Sequence, residues 1–355
     1  MNSQVFEFPR TLIDLCNHME NNSHSWKITG WNDDSGTQFE ISIDLDAQRI
    51  RNETEGALDL GSFLTALWTA GIVPAENEND VADRIECLPE RSGPRIAALA
   101  LDTNLLYFHF YPNYMRKHNT DVYDQHQHLL VLCAATVHEV HYKLGHTIRS
   151  KAFISSFIEY SRVNTTPFTL LTGRNELKSN PGSLLRQIQS RNGRLGIRGL
   201  REQRLLQSSY PTILSSPSHL YYSERIQNSA RFVDAIFDSL IRREVLFLRN
   251  NTNLQILFLT ADKHQYQAAN NEGIDSMYVR PPTHKMMRHI HRNITLRNVA
   301  GFIEHLLVLS PVLRIECEEH AYWLASTWIG MGPADAMEGK IAVACDGSFG
   351  YVVIT

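Results

Sequence analysis

The stretch TVHEVHYKLGH, residues 136–146, sets three histidines around Glu139. A zinc helix of the H-E-x-x-H kind needs its two imidazoles one turn apart on the same face. Here the second ligand position holds Tyr142. His141 falls roughly 300° round the helix from His138. The spacing excludes that site. Thr136 precedes Glu139 by three, a capping-box spacing that offers the glutamate a structural reading at a helix start. Two other acids draw attention by position: Asp102 ends the apolar run RIAALALD, and Asp262 ends LQILFLTAD. A carboxylate at the end of a buried strand is costly unless something pairs with it. Two at neighbouring strand ends raise the pKa of one of them unless a cation shares the site. Hard oxygen ligands grouped in this way suit Mg²⁺ or Mn²⁺. Such an ion activates water and steadies the charge on a displaced phosphate oxygen.

The elements around these acids read as an α/β core. Unbroken apolar strands are those of a parallel sheet covered on both faces. LQILFLTAD is followed by the short helix KHQYQAANNEG, closed by Gly273, and by the strand DSMYVRPP. Strand, helix and strand in that order make a right-handed parallel crossover, with the ligand site beyond the carboxyl ends. Long helical stretches are expected at about 124–160 and 224–249. On the amino-terminal side come a helix (TLIDLCNHM), a hairpin (WKITGW, NDDSG, TQFEISIDL) and a second helix (LDLGSFLTALWTAG). The acidic, proline-bounded run PAENENDVADRIECLPERSGP reads as a linker or loose helical connection. The tail has a helix, LRNVAGFIEHLLVLS, then strands LRIECE, AYWLASTWI, KIAVAC and YVVIT, the last two flanking the turn DGSFG.

A chain of 355 residues implies two or three domains. Five cysteines lie far apart with no CxxC, which points to a reducing compartment and away from a disulfide framework or a cysteine-rich zinc module. The amino terminus lacks a signal peptide pattern, and no stretch has the apolar length to span a bilayer, so a cytoplasmic location is expected. Residues 1–95 carry 17 acidic and 7 basic side chains, a balance of −10; with −4 overall, the remainder sums to +6. Any polyanion is therefore expected to meet the later part of the chain.

ALALDTNLLYF resembles the first strand of PIN-domain ribonucleases, an apolar strand ending in Asp-Thr-Asn or Asp-Ser-Asn. LFLTADKHQYQAANNEGIDSMYV resembles that family's closing Thr-x-Asp strand, short helix, glycine and last strand. The resemblance covers roughly residues 95–282. It implies a PIN-like α/β/α sandwich with a central parallel sheet and a four-carboxylate site for Mg²⁺ or Mn²⁺. It also implies hydrolysis of RNA phosphodiesters by an endoribonuclease. The family's second acid, a glutamate on a helix after the first strand, falls on Glu139. Its third, on the helix before the Thr-x-Asp strand, falls on Asp234, with Asp238 one turn later as a rival. Asp102, Glu139, Asp234 and Asp262 would then be catalytic and metal-ligating. Thr260 would orient Asp262 or a water at the fourth corner, and Asn104 would fix the turn or hold a carboxylate.

The expected layout is therefore an acidic α+β region at 1–94, a nuclease core at 95–282 with a basic insertion at about 161–223, and an α+β region at 283–355. Within that insertion, Arg174, Lys178, Arg186, Arg191, Arg194, Arg198, Arg201 and Arg204 are spread among glycines. They suggest a mobile arm that orders on RNA. Lys285, Arg288 and Arg292 lie in a second acid-free basic stretch and are candidate phosphate contacts. The two terminal regions, both mixing helices with short antiparallel strands, can pack as one module that dimerises, binds a protein or restrains the nuclease. A different class of function stays open beside the enzyme: an inactive PIN-like scaffold that binds RNA or protein without cutting.

Overall fold

A computed structural model of the chain describes residues 9–54, 56–118, 128–174, 177, 180–215, 233–289, 294–318 and 320–354. It divides into two compact units. One comprises Met1–Val73, Lys143–Ile197 and Pro282–Thr355; the other comprises Pro74–Tyr142 and Arg198–Pro281.

The first unit is built on a seven-stranded sheet in the order β12-β11-β10-β9-β1-β2-β3. Its strands are β1 Ser25–Trp31, β2 Gln38–Asp44, β3 Arg49–Asn52, β9 Leu313–Cys317, β10 His320–Ala325, β11 Lys340–Cys345 and β12 Ser348–Val353, every pair antiparallel. The two chain ends meet where Ile28 of β1 faces Ile315 of β9. Alternation of apolar and polar residues in β1 and β2 buries Trp26, Ile28, Ile41 and Ile43. Helix α14 (Leu296–Leu309) lies against α1 (Leu12–Asn22) and α2 (Leu60–Thr69). The terminal regions thus do form one module.

That module also takes in chain expected to belong elsewhere. Helices α8 (Lys151–Val163), α9 (Thr166–Thr172) and α10 (Pro181–Leu185) bring Phe153, Phe157, Phe168 and Leu171 into one buried cluster with Trp31 and Trp323. A short helix, α15 (Pro333–Glu338), precedes β11. Burial of this apolar face explains why residues 143–197 join the terminal sheet; the divisions fall after Val73, Tyr142, Ile197 and Pro281, the last within one residue of the boundary expected at 282. The glycine-rich basic segment is not a loop but largely helical. Its longest helix, α11 (Arg191–Ser209), runs from one unit into the other.

Arg194 sits on that helix and is buried. Its guanidinium donates to Asp33 Oδ2 at 3.2 Å, to the Gln189 carbonyl at 2.7 Å and to the Val308 carbonyl at 2.9 Å. Asp33 also accepts from the Arg191 N–H at 2.6 Å. A side chain committed in this way braces the fold and is removed from the set of phosphate contacts.

The second unit is α/β. Its sheet is five-stranded and wholly parallel, in the order β6-β5-β4-β7-β8. The strands are β4 Ile96–Leu101, β5 Leu129–Leu132, β6 Thr212–Leu214, β7 Leu254–Thr260 and β8 Ser276–Tyr278. Both side-chain faces of β4 and β7 are buried, Ala98, Ala100, Ile256 and Phe258 on one and Leu99, Leu101, Leu257 and Leu259 on the other. Such strands require helices on both sides, and the sequence supplies them: α5 Thr103–Tyr107, α6 Phe110–His118, α7 Ala134–Leu144, α12 Val233–Asn251 and α13 Lys263–Asn271. From α12, Phe237, Ile241 and Val245 pack with Ala135 of α7 and Ala269 of α13 against β4, β5 and β7.

The acidic run expected as a linker is folded into this unit as α3 (Glu78–Glu86) and α4 (Leu88–Ser92). Before α3, the Asn77 side chain donates to the Tyr278 carbonyl and accepts from the Arg280 N–H, both at 2.8 Å. It thereby satisfies part of the open edge of β8. Among the described residues, no helix is long and apolar enough to cross a membrane.

Candidate functional site

The chain passes from β4 to β5 and β6 on one side of the sheet, and from β7 to β8 on the other. The order reverses between β4 and β7, and in open α/β sheets ligands bind beyond the carboxyl ends at such a point. The two strands are paired as far as Leu101 and Leu259, and the Asp102 N–H extends the ladder to the Leu259 carbonyl at 3.0 Å. Asp102 and the Thr260–Asp262 segment are therefore placed side by side by backbone hydrogen bonds.

Side chains lock this arrangement. Asp102, only 2% exposed, accepts through Oδ1 from the Thr103 N–H at 2.8 Å and through Oδ2 from Thr260 Oγ1 at 2.6 Å and Asn104 Nδ2 at 2.9 Å. Asn104 Oδ1 in turn accepts from the Ala261 N–H at 3.1 Å, so one amide ties both strand ends together. The Asp262 N–H donates to Thr260 Oγ1 at 2.9 Å. Asp262 is the N-cap of α13, its Oδ1 accepting from the N–H groups of His264 and Gln265 at 2.6 and 3.1 Å. Glu139, buried on α7, accepts from Thr103 Oγ1 at 2.6 Å. The Asp238 carbonyl on α12 accepts from Gln265 Nε2 at 3.0 Å, fastening α12 to α13.

The electrostatics draw in four acids. Burial lifts the Asp102 carboxyl to about 7, the nearby charges of Glu139 and Asp262 push the same way, and the Thr260 hydroxyl pulls against them. Burial, then the charges of Asp102, Glu139 and Asp262, lift Asp238 to about 7 as well. Two buried acids elsewhere face basic side chains, Asp33 with the Arg194 guanidinium and Glu202 with the His109 imidazole at 2.6 Å. Asp102 is met by neutral donors and by charges of its own sign. No three of these four acids bring ligand oxygens within 4.8 Å of one another; among the described residues only His320, Cys345 and Asp346 form so tight a group. At this spacing a Mg²⁺ or Mn²⁺ ion would take at most one or two of the carboxylates directly and meet the others through its waters. Asp102, Glu139, Asp238 and Asp262 are the residues that would hold it.

Asp238, then, is the acid of α12 found in this field. Asp234 lies in the first turn of the same helix, and its side chain falls outside the described residues. Replacing Asp238 by Asn at about pH 8, above its pKa of about 7, is expected to raise the melting temperature of metal-free protein by about 2–4 °C per kcal/mol of repulsion relieved. The same change should shrink the further rise that Mn²⁺ produces in the wild type. Calorimetry with and without Mn²⁺ checks both, and a lower melting point for metal-free D238N would contradict the repulsion.

His138 and His141 are exposed while Glu139 points inward, so these histidines share no metal with it. The capping box at Thr136 does not form. Helix α7 begins two residues earlier, at Ala134, and the Thr136 hydroxyl is buried with no hydrogen-bond partner. What caps α7 is Glu244 of α12, whose carboxylate accepts from the Ala134 and Ala135 N–H groups at 2.7 and 2.9 Å and from the Ser215 hydroxyl. Sequence reasoning missed Glu244, one acid in an ordinary amphipathic helix. It also missed Thr103, which the Asp-Thr-Asn pattern brackets on both sides.

Of the expected RNA contacts, Arg174, Arg186, Arg191, Arg204 and Lys285 are exposed and Arg201 is half-buried. Arg194 and Arg198 are buried and leave the set. Lys178, Arg292 and the side chain of Arg288 lie outside the described residues. Comparison with protein-family models, curated proteins and solved structures finds no match to this chain.

Proposed function

We propose that the parallel-sheet unit is a PIN-like, metal-dependent endoribonuclease. One observation carries the reading: Asp102 and Asp262 follow the paired strands β4 and β7 where the strand order reverses, Thr260 bonds Asp102, Thr103 bonds Glu139 beside it, and the charges of these acids reach Asp238. The Asp-Thr-Asn and Thr-x-Asp sequences supply the resemblance that names RNA as substrate. When bound, Mg²⁺ or Mn²⁺ supplies a Lewis acid that makes water a nucleophile near neutral pH and offsets charge on the phosphate. The chain's own residues prepare the site. Thr260 and Asn104 hold one Asp102 oxygen, Thr103 aims Glu139, and the α13 N-terminus orients Asp262 through two N–H groups. Preorganisation of this kind means that little rearrangement is left for the reaction itself. Exposed Arg186, Arg191, Arg204 and Lys285 are available for backbone phosphates, which predicts RNA binding that weakens as salt rises.

The direct test is cleavage of an end-labelled RNA by the full chain in Mn²⁺, with and without chelator. Internal cuts that disappear with chelator are expected. RNA retention without any cutting would replace the nuclease by a binding scaffold, and neither binding nor cutting would remove RNA altogether.

A further inference from the structure

The antiparallel sheet carries a second cluster of ligand-type side chains, distinct in chemistry from the carboxylates. Strand β10 lies between β9 and β11 and runs antiparallel to both, so the β9–β10 and β11–β12 turns emerge at the same end of the sheet. The first turn presents His320 and the second presents Asp346, and Cys345 precedes Asp346 at the end of β11. One ligand atom from each of these three residues lies within 4.8 Å of the other two. His320 Nδ1 and Asp346 Oδ2 are 2.7 Å apart, a bond that joins the two turns.

The backbone holds this geometry in place. Asp346 and Gly347 both have positive φ, 48° and 81°, as the central residues of a tight two-residue hairpin do. This fixes the Asp346 side chain beside β10. Cys317, paired in register with His320, directs its own thiol to the His320 carbonyl at 3.7 Å and so braces the first turn. Three candidate ligands remain among the described residues. His320 and Asp346 border a groove of about 720 Å³ on the sheet surface, and their side chains are 32% and 58% exposed.

We propose that His320, Cys345 and Asp346 form a zinc site that clips the two hairpin turns together, with its fourth position open to solvent. A thiolate, an imidazole and one carboxylate form a borderline-soft set that favours Zn²⁺ over Mg²⁺ or Mn²⁺, and three protein ligands with one open position are usual for accessible zinc. The site stands independently of the nuclease reading, since it lies in the other unit and calls for a different metal.

The test titrates the metal-free full chain with Zn²⁺, and with Co²⁺ as a spectroscopic stand-in. In the wild type a thiolate-to-metal charge-transfer band in the near ultraviolet should saturate with one equivalent of Co²⁺ at this site, and Zn²⁺ should remove the band. Cys345→Ala should abolish the band. Asp346→Asn keeps the turn, because Asn tolerates positive φ. It should weaken binding at least ~10–100-fold, the loss that even an outer-shell partner brings. Asp102→Asn, which changes only the carboxylate site of the other unit, should leave the charge-transfer band and its Zn²⁺ displacement unchanged. Absence of the charge-transfer band from folded wild type, or wild-type affinity in D346N, would overturn the proposal and leave an ordinary surface ion pair.

Discussion

Asparagine at position 102 is expected to reduce Mn²⁺-dependent RNA cleavage by about 10³-fold or more, some 4 kcal/mol of transition-state stabilisation. Asp102 is the most buried of the four acids, and three donors converge on its two oxygens. An amide at this position removes the charge. It also sets an NH₂ group against a donor, either Thr103 N–H or the Thr260 and Asn104 pair. Loss of like-charge repulsion with Glu139 and Asp262 works in the opposite direction on stability. The fold should therefore survive while activity does not. Initial cleavage rates and a circular-dichroism melt on the same sample separate the two effects. Cleavage within tenfold of wild type by folded D102N would remove Asp102 from the chemistry.

The largest expected loss of stability comes from a residue that touches no candidate ligand. Glu244→Ala strips the acceptor from the Ala135 N–H and from the Ser215 hydroxyl, and leaves the Ala134 N–H only Ser215 Oγ at 2.9 Å. Ala135 is fully buried, and Glu244 is 3% exposed. A buried donor left without an acceptor costs about 1–3 kcal/mol, and the helix N-terminus also loses a neighbouring negative charge. A total of about 2–4 kcal/mol follows, which lowers the melting temperature on the order of 10 °C. Glu244→Gln keeps one acceptor oxygen and should fall between. Cleavage should drop with E244A, because the helix it loosens carries Glu139. A melting point unchanged in E244A would show that α7 is held by packing alone.

The parallel unit was legible where composition and position agreed. RIAALAL and LQILFLT can only be strands buried on both faces, and the acids at their ends had to lie together once β4 and β7 were paired. The sequence left Asp234 and Asp238 open, a turn apart on one helix; Asp238 feels the charges of the other acids, and the side chain of Asp234 lies outside the described residues. The glycines of α11 misled for a definite reason. They were read as flexibility, yet a Cβ at Gly199 would stand 2.8 Å from Tyr107 and 2.9 Å from Val140, and one at Gly193 would stand 2.3 Å from the His146 carbonyl. These glycines permit close approach within a helix. Arg194 misled likewise: its charge was visible in the sequence, and its partner Asp33, 161 residues away, was not.

The seam between β1 and β9 has a bearing on biosynthesis. The Trp31 N–H reaches the Ser310 hydroxyl across 279 residues of intervening chain. At roughly 5–20 residues per second, a ribosome needs tens of seconds to deliver the second partner after the first has emerged. Throughout that interval the β1–β2 hairpin has an unzipped edge, and Trp26 and Ile28 lack the strand that lies beside them in the finished sheet. The parallel unit, whose segments fall between these two strands in the chain, can assemble first. Newly made protein should therefore pass through a stage in which the parallel unit is complete and the antiparallel unit still depends on protection from aggregation.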